Sequence, residues 1–475
     1  MFTKNTKKSF ILVFALLACA ILVFAACNPT NTFTPVELPA SAEAVGNGGI
    51  AVRYGEWIYY VNGYQSSATA DNSYTNDIRT GAIVRVKAAD LDDIIKINDQ
   101  DLSTSKKAEA IKKAVAEKTQ MVVPNFYYTG NTSATAVNGI NIFGDRIYIT
   151  TPNNALDANG NILSSQLVLA SYKLDGSDMQ RHFVFASNAP QLKLTQDGQN
   201  IVATYILDNQ IKTFSFKAGE TVSESDVKVI TEEAISSPVL SGNNVYFLDN
   251  NGSICRYTVG GTEYKVLVEK VVEEGHEDHS HGESYTIKSA NGDYVYYTNS
   301  DSSSQTAGLQ LYYATVKNGE VVKDVALDTI PTGSYFGWGE KVVYTTSVPE
   351  ESVTMYGIWV ASKDGADKVE ILNPAENDKT ITFNRLEGDV LYYTVDSVSY
   401  TLNLTEKLAN ENTPSVAYAY NLSFSATGWS TPDVLDNYVF TLSSGAVSVV
   451  KFNPETKRNS ASTAITLTVI EESAE

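Results

Sequence analysis

Three of the chain's four histidines fall in one acidic run, Glu273-Glu274-Gly275-His276-Glu277-Asp278-His279-Ser280-His281-Gly282-Glu283. Imidazoles at His276, His279 and His281, with a carboxylate from Asp278 or Glu277, are donors that zinc, copper or nickel accept. The flanking acid concentrates cations locally. It also raises the imidazole pKa values, which opposes metal binding in mildly acid solution. A solvated acidic loop is the plainer reading of the same residues. The sequence contains no Gly-x-Ser-x-Gly elbow, phosphate loop or dinucleotide fingerprint. Zinc or another divalent cation is therefore the one cofactor it suggests.

A second group combines aromatic rings with amides and carboxylates. Tyr64, Gln65, Asp71, Asn72, Tyr74, Asn76 and Asp77 form one cluster, and Asn153, Asn154, Asp157 and Asn159 form another. Such side chains join flat apolar contact to hydrogen-bond donors and acceptors, which suits sugar hydroxyls or a peptide backbone. Two weaker motifs are coincidental. Ser103-Thr104-Ser105-Lys106 has the serine–lysine spacing of penicillin-binding enzymes but none of their further motifs. Asp157-Ala158-Asn159-Gly160-Asn161 echoes a calcium loop but lacks its glycine position and its bidentate glutamate.

The elements that must position these residues are announced by a repeat. Gly242-Asn243-Asn244-Val245-Tyr246-Phe247 is followed by Asp293-Tyr294-Val295-Tyr296-Tyr297, Gly339-Glu340-Lys341-Val342-Val343-Tyr344 and Gly388-Asp389-Val390-Leu391-Tyr392-Tyr393. Earlier copies start at Gly55, Gly144 and Gly198, and a weaker last copy at Asp436. From the third copy onward the spacing is about 44 to 50 residues, the period of a four-stranded propeller blade. A further apolar position lies seven residues before a turn in Ile83, Leu169, Ile254, Tyr312 and Ile358, marking a repeated third strand.

With strands named A to D, eight units start near Gly49, Gly139, Gln191, Ser236, Tyr285, Gly333, Ile381 and Asn421, and Ala464 to Ile470 forms the last D strand. The expected fold is an all-β propeller of eight blades, with seven as the alternative. Loops between strands B and C share a face with D–A loops. Long B–C loops are expected at 64–80, 151–164, 299–307 and 346–355, and the histidine run is the D–A loop between blades 4 and 5. Residues 91 to about 120 favour helix, with Ala108, Ile111, Ala114 and Val115 on one side and Ser103 or Ser105 as cap. This is a helical insertion between strands C and D of the first blade.

Lys4, Lys7 and Lys8 precede an apolar run from Phe10 to Ala26 that ends at Cys27, the pattern of an export signal. Residues 28 to 48 are a Pro/Ser/Thr/Gly tether. The expected organisation is a signal peptide at 1–26, a flexible tether at 27–48 and the propeller at 49–475. The formal charge of −20 disfavours nucleic acid and anionic lipid headgroups as partners. After processing, Cys27 and Cys255 are the remaining cysteines, so no internal disulfide forms, and Cys255 beside Ile254 is a buried small apolar residue.

Phe24-Ala25-Ala26-Cys27 resembles a bacterial lipobox, in which the cysteine is lipidated and becomes the new N-terminus; phenylalanine replaces the usual leucine. Together with the Ile-Tyr-Tyr strand and the Asp-Gly return, it resembles bacterial surface lipoproteins carrying an uncharacterised propeller. The repeat is also similar to low-density-lipoprotein-receptor-type and TolB-type propeller units. The resemblance implies architecture and an extracytoplasmic, membrane-anchored placement at the cell surface, and it brings no catalytic residues; a monomer is expected. The expected function is a binding or scaffold protein that engages a glycan, peptide or protein through Tyr64, Asp71, Tyr74, Asp77, Asn153 and Asp157. A polymer-acting hydrolase or lyase on that face, and metal binding through the histidine loop, are the alternatives.

Overall fold

The computed structural model describes residues 36, 43–63, 81–123, 139–152, 166–186, 191–270, 283–301, 308–351, 353–363, 365, 367–373, 377–396, 398–418, 434–443, 446–453 and 458–468. Eight antiparallel sheets follow one another along the chain, each ordered A-B-C-D from one edge to the other. The A strands of blades 1 and 2, 4 and 5, 5 and 6, and 6 and 7 touch, and strand A of blade 1 (Ala51–Tyr54) touches that of blade 8 (Val434–Leu435), so the ring closes with the A strands innermost. The fold is an eight-bladed propeller.

The tyrosine doublets explain why B strands read as unbroken apolar runs. Neighbouring residues of a strand point to opposite faces, and both faces of a blade are covered. In blade 5, Tyr296 packs with Val342 and Ala361 of blade 6, whereas Tyr297 packs with Tyr246 and Leu267 of blade 4. In blade 1, Tyr59 donates to Leu174 O of blade 2 (3.2 Å) and Tyr60 to Ile465 O of blade 8 (2.9 Å). Tyr246 and Tyr296 each donate to the A–B turn glycine of the next blade, Gly292 O and Gly339 O, both at 2.9 Å. The contact at Tyr296 is close enough to require glycine at 337. A Cβ there would lie 2.1 Å from the tyrosine ring.

The apolar residue before the C–D turn has a defined role. Ile83, Leu169, Ile254 and Ile358 are fully buried and sit where strand C shifts register against strand D. In blade 5 the shift falls at Leu311, one residue before Tyr312. A bulge increases local twist, and its recurrence gives the outer strands a common turn.

The insertion lies where expected, between strand C (Ile83–Lys87) and strand D (Gln120–Val123) of blade 1. It comprises α1 (Ala88–Lys96), a short 3₁₀ turn and α2 (Thr104–Lys118). Leu91, Ile94, Ile95, Ile111 and Val115 are buried against the core, while Ala108 is exposed. Ser103 occupies the N-cap position, but its side chain makes no cap hydrogen bond. The helices clasp the closure seam: the Asp92 carboxylate accepts from Tyr438 Oη (2.7 Å) and Lys451 Nζ (2.6 and 2.7 Å) of blade 8.

The seam itself is held by Asn62. Its Nδ2 donates to Leu467 O at 3.0 Å, and its Oδ1 accepts from Leu467 N at 2.8 Å, so one side chain takes the place of a strand neighbour. The last D strand is short, Thr463–Ala464. Arg53–Asp436 (2.6 Å) adds an ion pair between the A–B regions of blades 1 and 8.

One expectation is corrected. Residues 346–355 are not a long loop. Strands B (Lys341–Glu350) and C (Val353–Ala361) of blade 6 stay paired to Glu350↔Val353, which makes a projecting two-stranded arm. Ser347, Pro349 and two glutamates suggest a loop, but they lie where the arm has no neighbouring strand. Proline's missing N–H costs nothing at such an edge.

Candidate functional site

The candidate residues Tyr64, Asp71, Tyr74, Asp77, Asn153, Asp157, His276, Asp278, His279, His281 and Cys27 lie outside the described residues. The strands that carry those segments are described. Val61 and Ile83 bound the first B–C segment, Pro152 and Leu167 the second, and Val268 and Tyr285 the histidine segment. In an antiparallel meander, all of these strand ends belong to one face of the ring.

The foot of the histidine segment is tied to the B–C segment of blade 5. Ser300 N and Oγ both donate to Ser284 O, at 2.9 and 3.1 Å. Asn299 Nδ2 donates to Glu283 Oε1 at 3.0 Å, and Tyr285 Oη bonds the other oxygen of that carboxylate. Tyr285 is pushed far above the usual phenol range, first by burial and then by the Glu283 charge. The blade 6 arm projects on the same side, with Val348 and Val353 at 43% and 50% exposure at its tip. Among the described residues, no three His, Cys, Asp or Glu side chains are gathered to hold a metal ion.

The chain enters from the other side. Ala44–Val45 forms an additional strand at the inner edge of blade 1, antiparallel to strand A, with Ala44 opposite Tyr54. Tyr54 leads into the A–B turn, so Ala44 lies at the A–B end of blade 1, and Val36 packs, partly buried, against the core of this part of the ring. Asn47 then fixes the entry to blade 2, accepting from Ile142 N (2.8 Å) and donating to Ile142 O (3.1 Å).

Beside this entry lies a cavity of about 380 Å³, lined by residues that include Asn47, Asn141, Phe143, Lys193, Thr195, Gln196 and Asn243. Lys193 belongs to strand A of blade 3 (Gln191–Asp197), where Leu192 and Leu194 turn into the core and Lys193 turns the other way. Burial lowers its pKa, and Glu387 of the opposite blade 7 acts against that shift. Glu387 is itself paired with Arg385 at 2.7 Å. No sequence motif marks this position, because a lysine between two leucines is ordinary strand alternation.

A serine–histidine contact also escaped the sequence reading. His182 Nε2 lies 2.7 Å from Ser171 Oγ, and its Nδ1 lies 2.8 Å from Glu220 O. Arg146 Nε donates to the same serine oxygen at 2.9 Å, which assigns the serine proton to His182 Nε2. The imidazole is then neutral with its proton on Nδ1, and burial holds its pKa below the usual histidine value. Ser171 and His182 have no exposed surface. A substrate cannot reach this hydroxyl, and the chain of bonds joins blades 2 and 3. Cys255 is buried as expected, and burial with the nearby Asp249 charge pushes its thiol up to about 12.

No protein-family model matches the sequence, and no curated protein matches it. Similar solved structures include a prolyl endopeptidase (12% identity, TM-score 0.37), of which the alignment spans 86% of this chain and 55% of that one. The computationally designed Ika8 protein is 10% identical with a TM-score of 0.33, over 69% of this chain and 86% of its own. BamB from Moraxella catarrhalis is 12% identical with a TM-score of 0.29, over 65% and 82%.

Proposed function

We propose that this protein is a lipid-anchored extracytoplasmic binding or scaffold protein whose B–C and D–A face engages a glycan, peptide or protein. The observation that carries this reading is the opposite placement of the chain entry. Ala44, where the first strand begins, lies at the A–B end of blade 1, while the strand ends that bound the uneven segments and the blade 6 arm belong to the other face. Anchored at Cys27, with Val36 held against the core so that the stretch between them spans at most about 30 Å, the ring turns its A–B face toward the membrane. The loop-bearing face then points outward, where the candidate residues Tyr64, Tyr74 and Asn153 meet a partner. The propeller supplies a rigid platform, and function resides in its connections.

Single cysteines introduced at Glu351 and at Asp197 test this orientation in intact cells. Cys255 provides a silent background because its thiol is buried. A bulky membrane-impermeant maleimide should label the Glu351 site several-fold faster than the Asp197 site, and Cys27→Ala should abolish lipid labelling. Equal labelling at both sites, or lipid labelling that survives Cys27→Ala, overturns the proposal.

A further inference from the structure

Lys193 carries a charge that the fold does not use. Among the described residues its ammonium makes no hydrogen bond or ion pair, and the one carboxylate acting on it, Glu387, is committed to Arg385. Lys193 is partly exposed at the wall of the cavity, where its ammonium faces the space a ligand would fill. An ammonium without a partner at that position is available to an anionic ligand that enters the cavity. The surrounding cavity is about 380 Å³, within the range of about 300–1,000 Å³ typical of small-molecule sites.

The other walls narrow the chemistry. Thr195 and Asn243 offer a hydroxyl and a carboxamide that bond nothing else among the described residues, and Gln196 uses only its Nε2, toward Gly198 O. Phe143 is half-buried and adds a flat apolar surface. One cation, several neutral polar groups and one aromatic ring complement a molecule with one negative charge, several hydroxyls and an apolar ring face.

We infer that this channel cavity binds a small acidic sugar of the hexuronate class, its carboxylate held by the Lys193 ammonium. The site opens beside the A–B turns and is separate from the loop-bearing face, so it stands or falls independently of the function proposed above. Phosphate fits less well: it brings up to two charges to one ammonium and offers no ring for Phe143.

Isothermal titration of the full-length protein in detergent with glucuronate, glucose and inorganic phosphate tests the inference. Glucuronate should bind at least about tenfold tighter than either of the others. Lys193→Met keeps the apolar stem, and it should weaken glucuronate by at least about tenfold while leaving the melting temperature equal or higher. Phosphate binding as tight as glucuronate overturns the inference, as does glucuronate affinity unchanged in Lys193→Met. Absence of binding by all three probes at millimolar concentration also overturns it. The three-probe comparison on the wild-type protein decides the matter even if the variant fails to fold.

Discussion

Replacing Asn62 by alanine should loosen the closure of the ring more than any other single polar change at the seam. The side chain is 1% exposed and supplies both a donor and an acceptor to Leu467, which is 5% exposed. Alanine leaves the Leu467 N–H and C=O without these partners, in a space too small to admit bulk water. Each buried group left unsatisfied costs about 1–3 kcal/mol, so the pair gives roughly 2–6 kcal/mol. Because a ring of blades can open locally before it unfolds globally, the loss should concentrate in the C-terminal strand. Hydrogen exchange of residues 463–467 reads this directly, and a cost of about 3 kcal/mol corresponds to exchange more than 100-fold faster in the Leu467 amide. Urea unfolding should show the same change as an early transition. Asn62→Asp retains the acceptor but places a charge against Leu467 O, so it should be no better tolerated. Exchange at Leu467 within about twofold of wild type would refute the claim that Asn62 substitutes for a strand.

Four further outcomes follow from the same geometry. Asp92→Ala removes a half-exposed ion pair and the Tyr438 bond; it should cost about 1 kcal/mol and lose much of that difference at high salt when measured by urea unfolding. Gly337→Ala drives a Cβ into the Tyr296 ring and should cost at least about 1–3 kcal/mol by overpacking, a loss that the double variant with Tyr296→Leu should partly recover in thermal melts. His182 has a folded pKa depressed from 6.5 by burial, so the unfolded chain binds the extra proton first as the pH falls. Its contribution is full above about 6.5 and declines below it, and the urea midpoint of the wild type should therefore fall more between pH 7.5 and 5 than that of His182→Gln. Cys255, with its thiol pushed up to about 12, should react with a thiol reagent at pH 8 only at the rate of local or global opening, and immediate labelling of the native protein would contradict its burial.

Much of the architecture was legible in the residues, because a blade must bury both of its faces and return at fixed intervals. The doublets Tyr59-Tyr60 and Tyr296-Tyr297 mark strands covered on two sides, and each ring fills the gap toward a different neighbour. The turn glycines and the apolar position at the C-strand bulge repeat because every blade needs the same hairpin and the same twist. The helical insertion could be read from its side-chain pattern and its interruption of the period. The blade 6 arm was misread, since local turn-forming residues say nothing about whether a neighbouring strand lies beside them.

What the sequence determined by itself is the local and periodic part: strand, turn and blade, with eight blades favoured over seven until the sheets of the folded ring fixed the count. Which residues meet across the ring was decided only by closure. Asn62 and Leu467 are 405 positions apart, and no local pattern marks either as a seam. Lys193 looks like any polar residue between two leucines until blade 7 brings the paired Arg385 and Glu387 to the far side of the channel. Periodicity reports how each segment pairs with the next, whereas the electrostatics of a cavity depend on groups contributed by blades far apart in the chain.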